Sequence, residues 1–263
     1  MTKLSVNVNK VATLRNTRSL EIPSVVGLSR IALEAGAHGI TVHPRPDQRH
    51  IRPADVTDVA ELLKSFPAAE YNIEGNPFHG LLAHCERARP NQATLVPDAR
   101  EAFTSNHGWN LVELDAAARG ALAKSVSELK ALGCRASLFL DPVADMMSMA
   151  RDLGADRVEL YTEPYAAAVL SGRAPESLSI YARAANRARE VGLGGNAGHD
   201  LNLQNLASFL QQTGPIDEVS IGHALIADAL ELGLAETVRR YLKECARPQT
   251  GLAPPDGPPE TPP

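Results

Sequence analysis

Several short apolar runs in this chain close on a residue that can move a proton. Gly39-Ile-Thr-Val-His43 ends in an imidazole and leads into Arg45, Arg49 and His50. Tyr71-Asn-Ile-Glu74 ends in a carboxylate, while Asn196-Ala-Gly-His199 and Ile221-Gly-His223 each deliver a Gly-His pair. An imidazole titrates near neutrality, and partial burial raises a carboxyl into the same range. His43 is therefore the first candidate for acid–base work, Glu74 a second proton-transfer group and His199 the matching acid. The plainer alternatives are a hydrogen-bonded histidine at position 43 and a salt bridge between Glu74 and Arg45.

The neighbouring cations suit a different task. Arg18, Arg45, Arg49 and His50 supply positive charge, and the planar guanidinium fork matches phosphate oxygens. An arginine taken singly is more often a solvated surface charge. Gly222-His223 stands just ahead of a helix expected from Ala224, where backbone N–H groups can hold an anion. Asn7 and Asn9 fall on one face of a strand pattern, as do His43 and Arg45, and Asn72 and Glu74. Polar pairs on otherwise apolar strands are costly in a packed interior unless they face solvent or a ligand, and near strand C-termini the ligand reading is preferred. Lys10, just past Asn9, fits substrate contact better than covalent imine chemistry. Glu159 shares a strand face with Glu163, and pattern alone leaves it between lining a cavity and forming a rim salt bridge. No HxH, HExxH or carboxylate cluster has metal-site spacing, so no metal is expected.

Placing these groups together requires a particular scaffold. Strand patterns are read near Leu4–Asn9, Gly39–Arg45, Glu70–Gly75, Ala93–Pro97, Arg135–Asp141, Arg157–Glu163, Gly194–His199 and Glu218–Gly222. Amphipathic helical patterns separate them, including Val25–Ala35, Pro53–Ser65, Ala116–Leu132 and Pro142–Leu153. Chemistry repeated at strand C-termini, each followed by a helix, is the signature of a (β/α)8 TIM barrel. An extra helix is expected around Ala166–Leu170, and two more at Ala224–Leu232 and Glu236–Cys245. Residues 1–246 read as one catalytic domain, and the Pro-rich segment 247–263 as a disordered tail.

Composition narrows the class. A net charge of −5 offers no basic field for nucleic acid or an anionic membrane, and 4% aromatics are too few for a base-stacking platform. Cys85, Cys134 and Cys245 are far apart and outside any CxxC pair, so neither a disulfide framework nor structural zinc is expected. The N-terminus enters a strand pattern without an apolar signal region. No apolar stretch approaches the ~20 residues that span a bilayer. The expectation is a cytoplasmic protein.

The chain resembles pyridoxine 5′-phosphate synthase over nearly its whole length short of the tail. The resemblance is carried by Asn7–Arg18, Gly39–His50, Asn72-Ile-Glu74, Leu95-Val-Pro97, Asn196-Ala-Gly-His199 and Ile221-Gly-His223, in the family's order. It implies a TIM barrel with extra helices, assembled as a homo-octamer and using no metal or organic cofactor. The implied reaction condenses 1-deoxy-D-xylulose 5-phosphate with 3-amino-2-oxopropyl phosphate, giving pyridoxine 5′-phosphate, phosphate and water. By resemblance, His43 and Glu74 accept protons, His199 donates one, and Glu159 stabilises the transition state. Asn7, Arg18 and the Gly222-His223 amides would hold the aminoketone phosphate. Arg45, His50, Thr104, Asn9 and Lys10 would hold the deoxyxylulose phosphate, under a closing loop around Phe103–Trp109.

Three positions depart from the family pattern. Asn9 and Lys10 stand where Asp and His are usual, making that corner more positive. Asp200 replaces the Gly that commonly follows the catalytic histidine, placing a carboxylate among the substrate contacts. Two other functions fit a phosphate-gripping barrel. A sugar-phosphate aldolase or isomerase would use Lys10 as its amine, which borohydride trapping would reveal. A non-catalytic phosphate sensor would need the grips but not His43, Glu74 and His199.

Overall fold

Alternation along eight short strands turns one set of side chains outward under helices and the other into a central channel. In the computed structural model, which describes residues 1–102, 104–214 and 216–247, the strands are brief. They are β1 (Lys3–Asn7), β2 (Gly39–Val42), β3 (Glu70–Gly75), β4 (Gln92–Leu95), β5 (Arg135–Leu140), β6 (Arg157–Leu160), β7 (Gly194–Gly198) and β8 (Glu218–Ile221). They pair in parallel and in chain order, and β8 closes on β1 with Leu4 beside Val219. The molecule is a TIM barrel. Most of the Pro-rich segment 247–263 lies outside the described residues.

Outward positions such as Leu4, Val6, Ile40, Val42, Val219 and Ile221 are fully buried beneath the helices. This is the two-layer core that an α/β barrel requires. The inward face departs from the branched apolar layers usual in such barrels, for it is polar along much of its length. Ser5 and Thr41 share a hydrogen bond of 2.7 Å, and Thr94 donates to Asn72 at 3.1 Å. At the N-terminal end of the strands, Glu70 pairs with both Lys3 and Arg135. Burial alone would raise the Glu70 pKa, but these two cations outweigh it and hold it at about 2. Arg157 lies 3.8 Å from Glu218 and donates to Gln92 at 3.2 Å. This polar layer fills the lower barrel, so open space is left at the C-terminal end.

Eleven α-helices occur among the described residues. Eight follow the strands as barrel helices, and three are additional: Asn9–Asn16, Glu163–Leu170 and Leu234–Cys245. The second lies where the sequence places an extra helix. The last pair occupies His223–Leu232 and Leu234–Cys245, each starting slightly earlier than expected. The first corrects the sequence reading: β1 stops at Asn7, and Asn9, expected at the end of the strand, opens a helix that also holds Lys10. Asn7 Oδ1 accepts the Asn9 N–H at 3.0 Å, turning the chain as soon as the strand ends. The three cysteines are buried and form no disulfide.

Candidate active site

The strand ends converge on a cavity of about 490 Å³, a size suited to small ligands. Thirteen of the fourteen residues to which the sequence gives a catalytic or substrate-contact role line it, and so does Arg49. The exception is Arg18, which is exposed beyond the helix Asn9–Asn16 and does not border the cavity. Thr94, Val96, Ser105, Phe139 and Ser220 also line it and were missed. Thr94 and Ser220 had a readable signal, because each shares strand parity with another polar residue, Gln92 or Glu218. Val96, Phe139 and Tyr161 form a separate apolar cluster, giving the polar mouth one greasy wall.

His43 follows β2 and is buried. Its backbone N–H donates to Asn9 Oδ1 at 2.9 Å, so the new helix start fixes the end of the strand. Burial, followed by the charges of Arg45 and His50, drives its pKa well below the usual histidine value. It is therefore a neutral imidazole, with Nδ1 3.7 Å from Glu74 Oε2. Glu74 also receives long hydrogen bonds of 3.4 Å from Asn7 and from Ser220. Burial raises its pKa to about 7, a value at which it can take or release a proton. Glu159, hydrogen-bonded by Thr94 at 3.4 Å, is pushed well above the ordinary carboxyl value by burial and then by Glu74 and Glu218. That shift favours the neutral acid.

His199 follows Gly198 on the left-handed side of backbone space, at φ 61°. Its Nδ1 lies 2.5 Å from Asp200 Oδ2 and its Nε2 3.2 Å from Thr104 Oγ1. Burial lowers its pKa, but hydrogen bonding and charge from Asp200, aided by Glu74, more than reverse that and favour the cation. Gly198 admits no side chain, because a Cβ there would sit 2.2 Å from the Ser220 carbonyl oxygen. Gly198→Ala should therefore part β7 from β8. It is expected to cost about 1–3 kcal/mol, measurable by urea denaturation.

Two corners of the cavity can hold anions. At the β8–β1 junction, Gly222 caps the helix His223–Leu232 beside Asn7, and helix-start N–H groups suit an anion. The other corner gathers Lys10, Arg49 and His50. His50 Nδ1 accepts the Ile51 N–H at 2.9 Å, and burial with Arg45 and Lys10 lowers its pKa to about 4. It thus presents a neutral Nε2–H donor. Arg45 borders the cavity but is buried, its fork hydrogen-bonded to Asp98 and, at 3.0 Å, to the Ala102 carbonyl.

The segment expected to close over the site is anchored at its far end. Trp109 Nε1 donates to the Leu95 carbonyl at 2.9 Å. Phe103 lies outside the described residues. Among the described residues, no group of His, Cys, Asp or Glu is placed to hold a metal ion, and no helix is long and apolar enough to cross a membrane.

Comparison with known proteins adds a family to this geometry. A family described as "Pyridoxal phosphate biosynthesis protein PdxJ" matches residues 4–247. A pyridoxine 5′-phosphate synthase from Albidiferax ferrireducens is 53% identical over 247 residues, covering 92% of this chain and 96% of that protein. One from Porphyromonas gingivalis is 50% identical over 249 residues, covering 94% and 100%. Among solved structures, a tryptophan synthase from M. tuberculosis superposes with a TM-score of 0.62 at 12% identity, covering 93% and 92% of the two chains. The tryptophan synthase alpha chain from Legionella pneumophila gives 0.62 at 14% identity, covering 93% and 91%. These two share the barrel fold.

Proposed function

The chain belongs to the pyridoxal phosphate biosynthesis protein PdxJ family and is an enzyme of vitamin B6 biosynthesis, making pyridoxine 5′-phosphate; we propose that it does so by condensing 1-deoxy-D-xylulose 5-phosphate with 3-amino-2-oxopropyl phosphate. The observation that carries this reading is the meeting of His43, Glu74, Glu159 and His199 in one cavity with two anion-holding corners. Two phosphorylated substrates need two grips. Imine formation, phosphate loss and ring closure each move protons, so several differently tuned groups are needed.

In this reading Asn7 and the Gly222-His223 amides hold the aminoketone phosphate, and His50, Lys10, Asn9 and Thr104 hold the other. Neutral His43 accepts a proton from the condensing substrates, and ionised Glu74 accepts another. His199 donates from Nε2 to the departing oxygen. Glu159, kept neutral, stabilises developing negative charge by donating a hydrogen bond. Holding two small molecules side by side supplies much of the acceleration, and no metal or organic cofactor takes part.

The enzyme is further read as a cytoplasmic homo-oligomer, an octamer by family likeness. Exposed Leu20 and Ile22 beside Arg18 support a surface covered by another copy, which light scattering on the purified protein would test. The deciding experiment supplies both phosphorylated ketones and follows pyridoxine 5′-phosphate by chromatography together with released phosphate. Product that depends on both substrates is expected. Folded protein that binds either ketone yet forms no product would overturn the reading.

A further inference from the structure

The geometry points to Asp200 as a positioning residue for the proton donor, holding the His199 ring by Nδ1 so that Nε2 faces the cavity. This rests on the reading of His199 as donor and assigns a task to a residue at a position where the family pattern has Gly.

A carboxylate can only accept, so the 2.5 Å contact between Asp200 Oδ2 and His199 Nδ1 places a hydrogen on Nδ1. Nε2 then becomes the nitrogen that exchanges its proton, and it lies on the cavity side, 3.2 Å from Thr104 Oγ1. After donating, the ring is left in the Nδ1–H tautomer that Asp200 already holds. An imidazole oriented by a carboxylate in this manner is a recurrent device of acid–base sites.

The backbone of Asp200 is itself secured. Its N–H donates to the Gly198 carbonyl at 2.9 Å, and its carbonyl accepts from Asn205 Nδ2 at 3.3 Å. Among the described residues the Asp200 carboxylate has no hydrogen bond other than that to His199. Other charged or titratable groups face His199 from β3 (Glu74), from the end of β2 (His43), from the loop after β4 (Asp98) and from the end of β6 (Tyr161). Tyr161 meets the imidazole edge-on, with ring centres 5.9 Å apart. Of these groups Asp200 alone is hydrogen-bonded to the ring, and it contributes most to keeping the imidazole charged despite burial.

The test follows the 15N signals of His199 through a pH titration of the full-length protein and of Asp200→Asn, alongside kcat and KM profiles. In Asp200→Asn the His199 midpoint should fall by about 1–2 pH units. The alkaline limb of kcat should move down with it, while KM for both ketones stays unchanged. Asp200→Glu should recover part of the shift. An unchanged His199 midpoint in Asp200→Asn would overturn the proposal, as would a raised KM with an unmoved pH profile, which would make Asp200 a substrate contact. A His199→Asn variant that retains turnover would refute the donor reading on its own, whereas the titration decides whether Asp200 sets the ring.

Discussion

Glu74→Gln is expected to lower kcat by about 10²–10⁴-fold, the usual worth of a positioned general base. Glutamine preserves the shape and can still meet Asn7 and Ser220, the two neighbours that donate to this side chain. It cannot take a proton. With Glu74 titrating at about 7, the wild-type rate should rise as pH climbs through that value and fall again as His199 loses its proton. The variant should lose the acid limb and keep the alkaline one, and a pH series of steady-state rates separates the two.

The same substitution should make the protein more stable. Burial raises the folded pKa of Glu74 above its ordinary value of 4.5. Below pH 4.5 the carboxyl is protonated in both folded and unfolded chains and carries no penalty. Between 4.5 and about 7 the unfolded chain ionises first, so the wild type loses stability across that window. Removing the carboxyl should recover about 1–3 kcal/mol at pH 7.5 and almost nothing at pH 4. Urea denaturation at the two pH values checks the sign. Equal stability at both would mean that Glu74 is not strained by its burial.

Asp98→Ala is expected to cost about 3–5 kcal/mol, because it strips the charged partner from a buried guanidinium. Arg45 and Asp98 are 5% and 4% exposed at their side chains, so water cannot replace the lost carboxylate. Asp98 also accepts from Ser105 at 2.6 Å, and its backbone carbonyl accepts from Asn76 at 3.0 Å. Removing the carboxylate should therefore loosen the stretch that carries Thr104 over the cavity. Inorganic phosphate provides a discriminating addition. If Arg45 can turn to a ligand, phosphate should raise the Tm of Asp98→Ala more than that of the wild type, since a ligand stabilises the state it binds. Equal rises would confine Arg45 to a structural role.

The barrel was legible because its signal is periodic. Apolar side chains at alternate positions in runs such as Leu4-Ser-Val6 and Ile40-Thr-Val42 mark strands whatever surrounds them. The proton-transfer candidates were legible because His43, Glu74 and His199 each end such a run. The helix at Asn9 was not, for the signal that starts it is a side chain–backbone bond from Asn7, which no periodicity records. Nor was the partner of Arg45. Asp98 lies 53 residues away, and only the closed barrel, in which β3 alone separates the ends of β2 and β4, brings the two together. Arg18 illustrates the converse: its charge and its motif were plain, but its place relative to the cavity depends on where the helix before it points.

The seam between β1 and β8 has a consequence for how the enzyme is made. Lys3 pairs with Glu218 and Val6 with Ile221, so the first strand meets its second neighbour only near the end of the chain. Glu74 likewise waits for Ser220, 146 residues later. At about 5–20 residues per second, translation leaves β1 with an unpaired edge for roughly ten to forty seconds. During that interval His43, Glu74, Glu159 and His199 are added one after another with no enclosed cavity to receive them, and the final strand, once it leaves the ribosome, both shuts the barrel and supplies the last wall of the cavity.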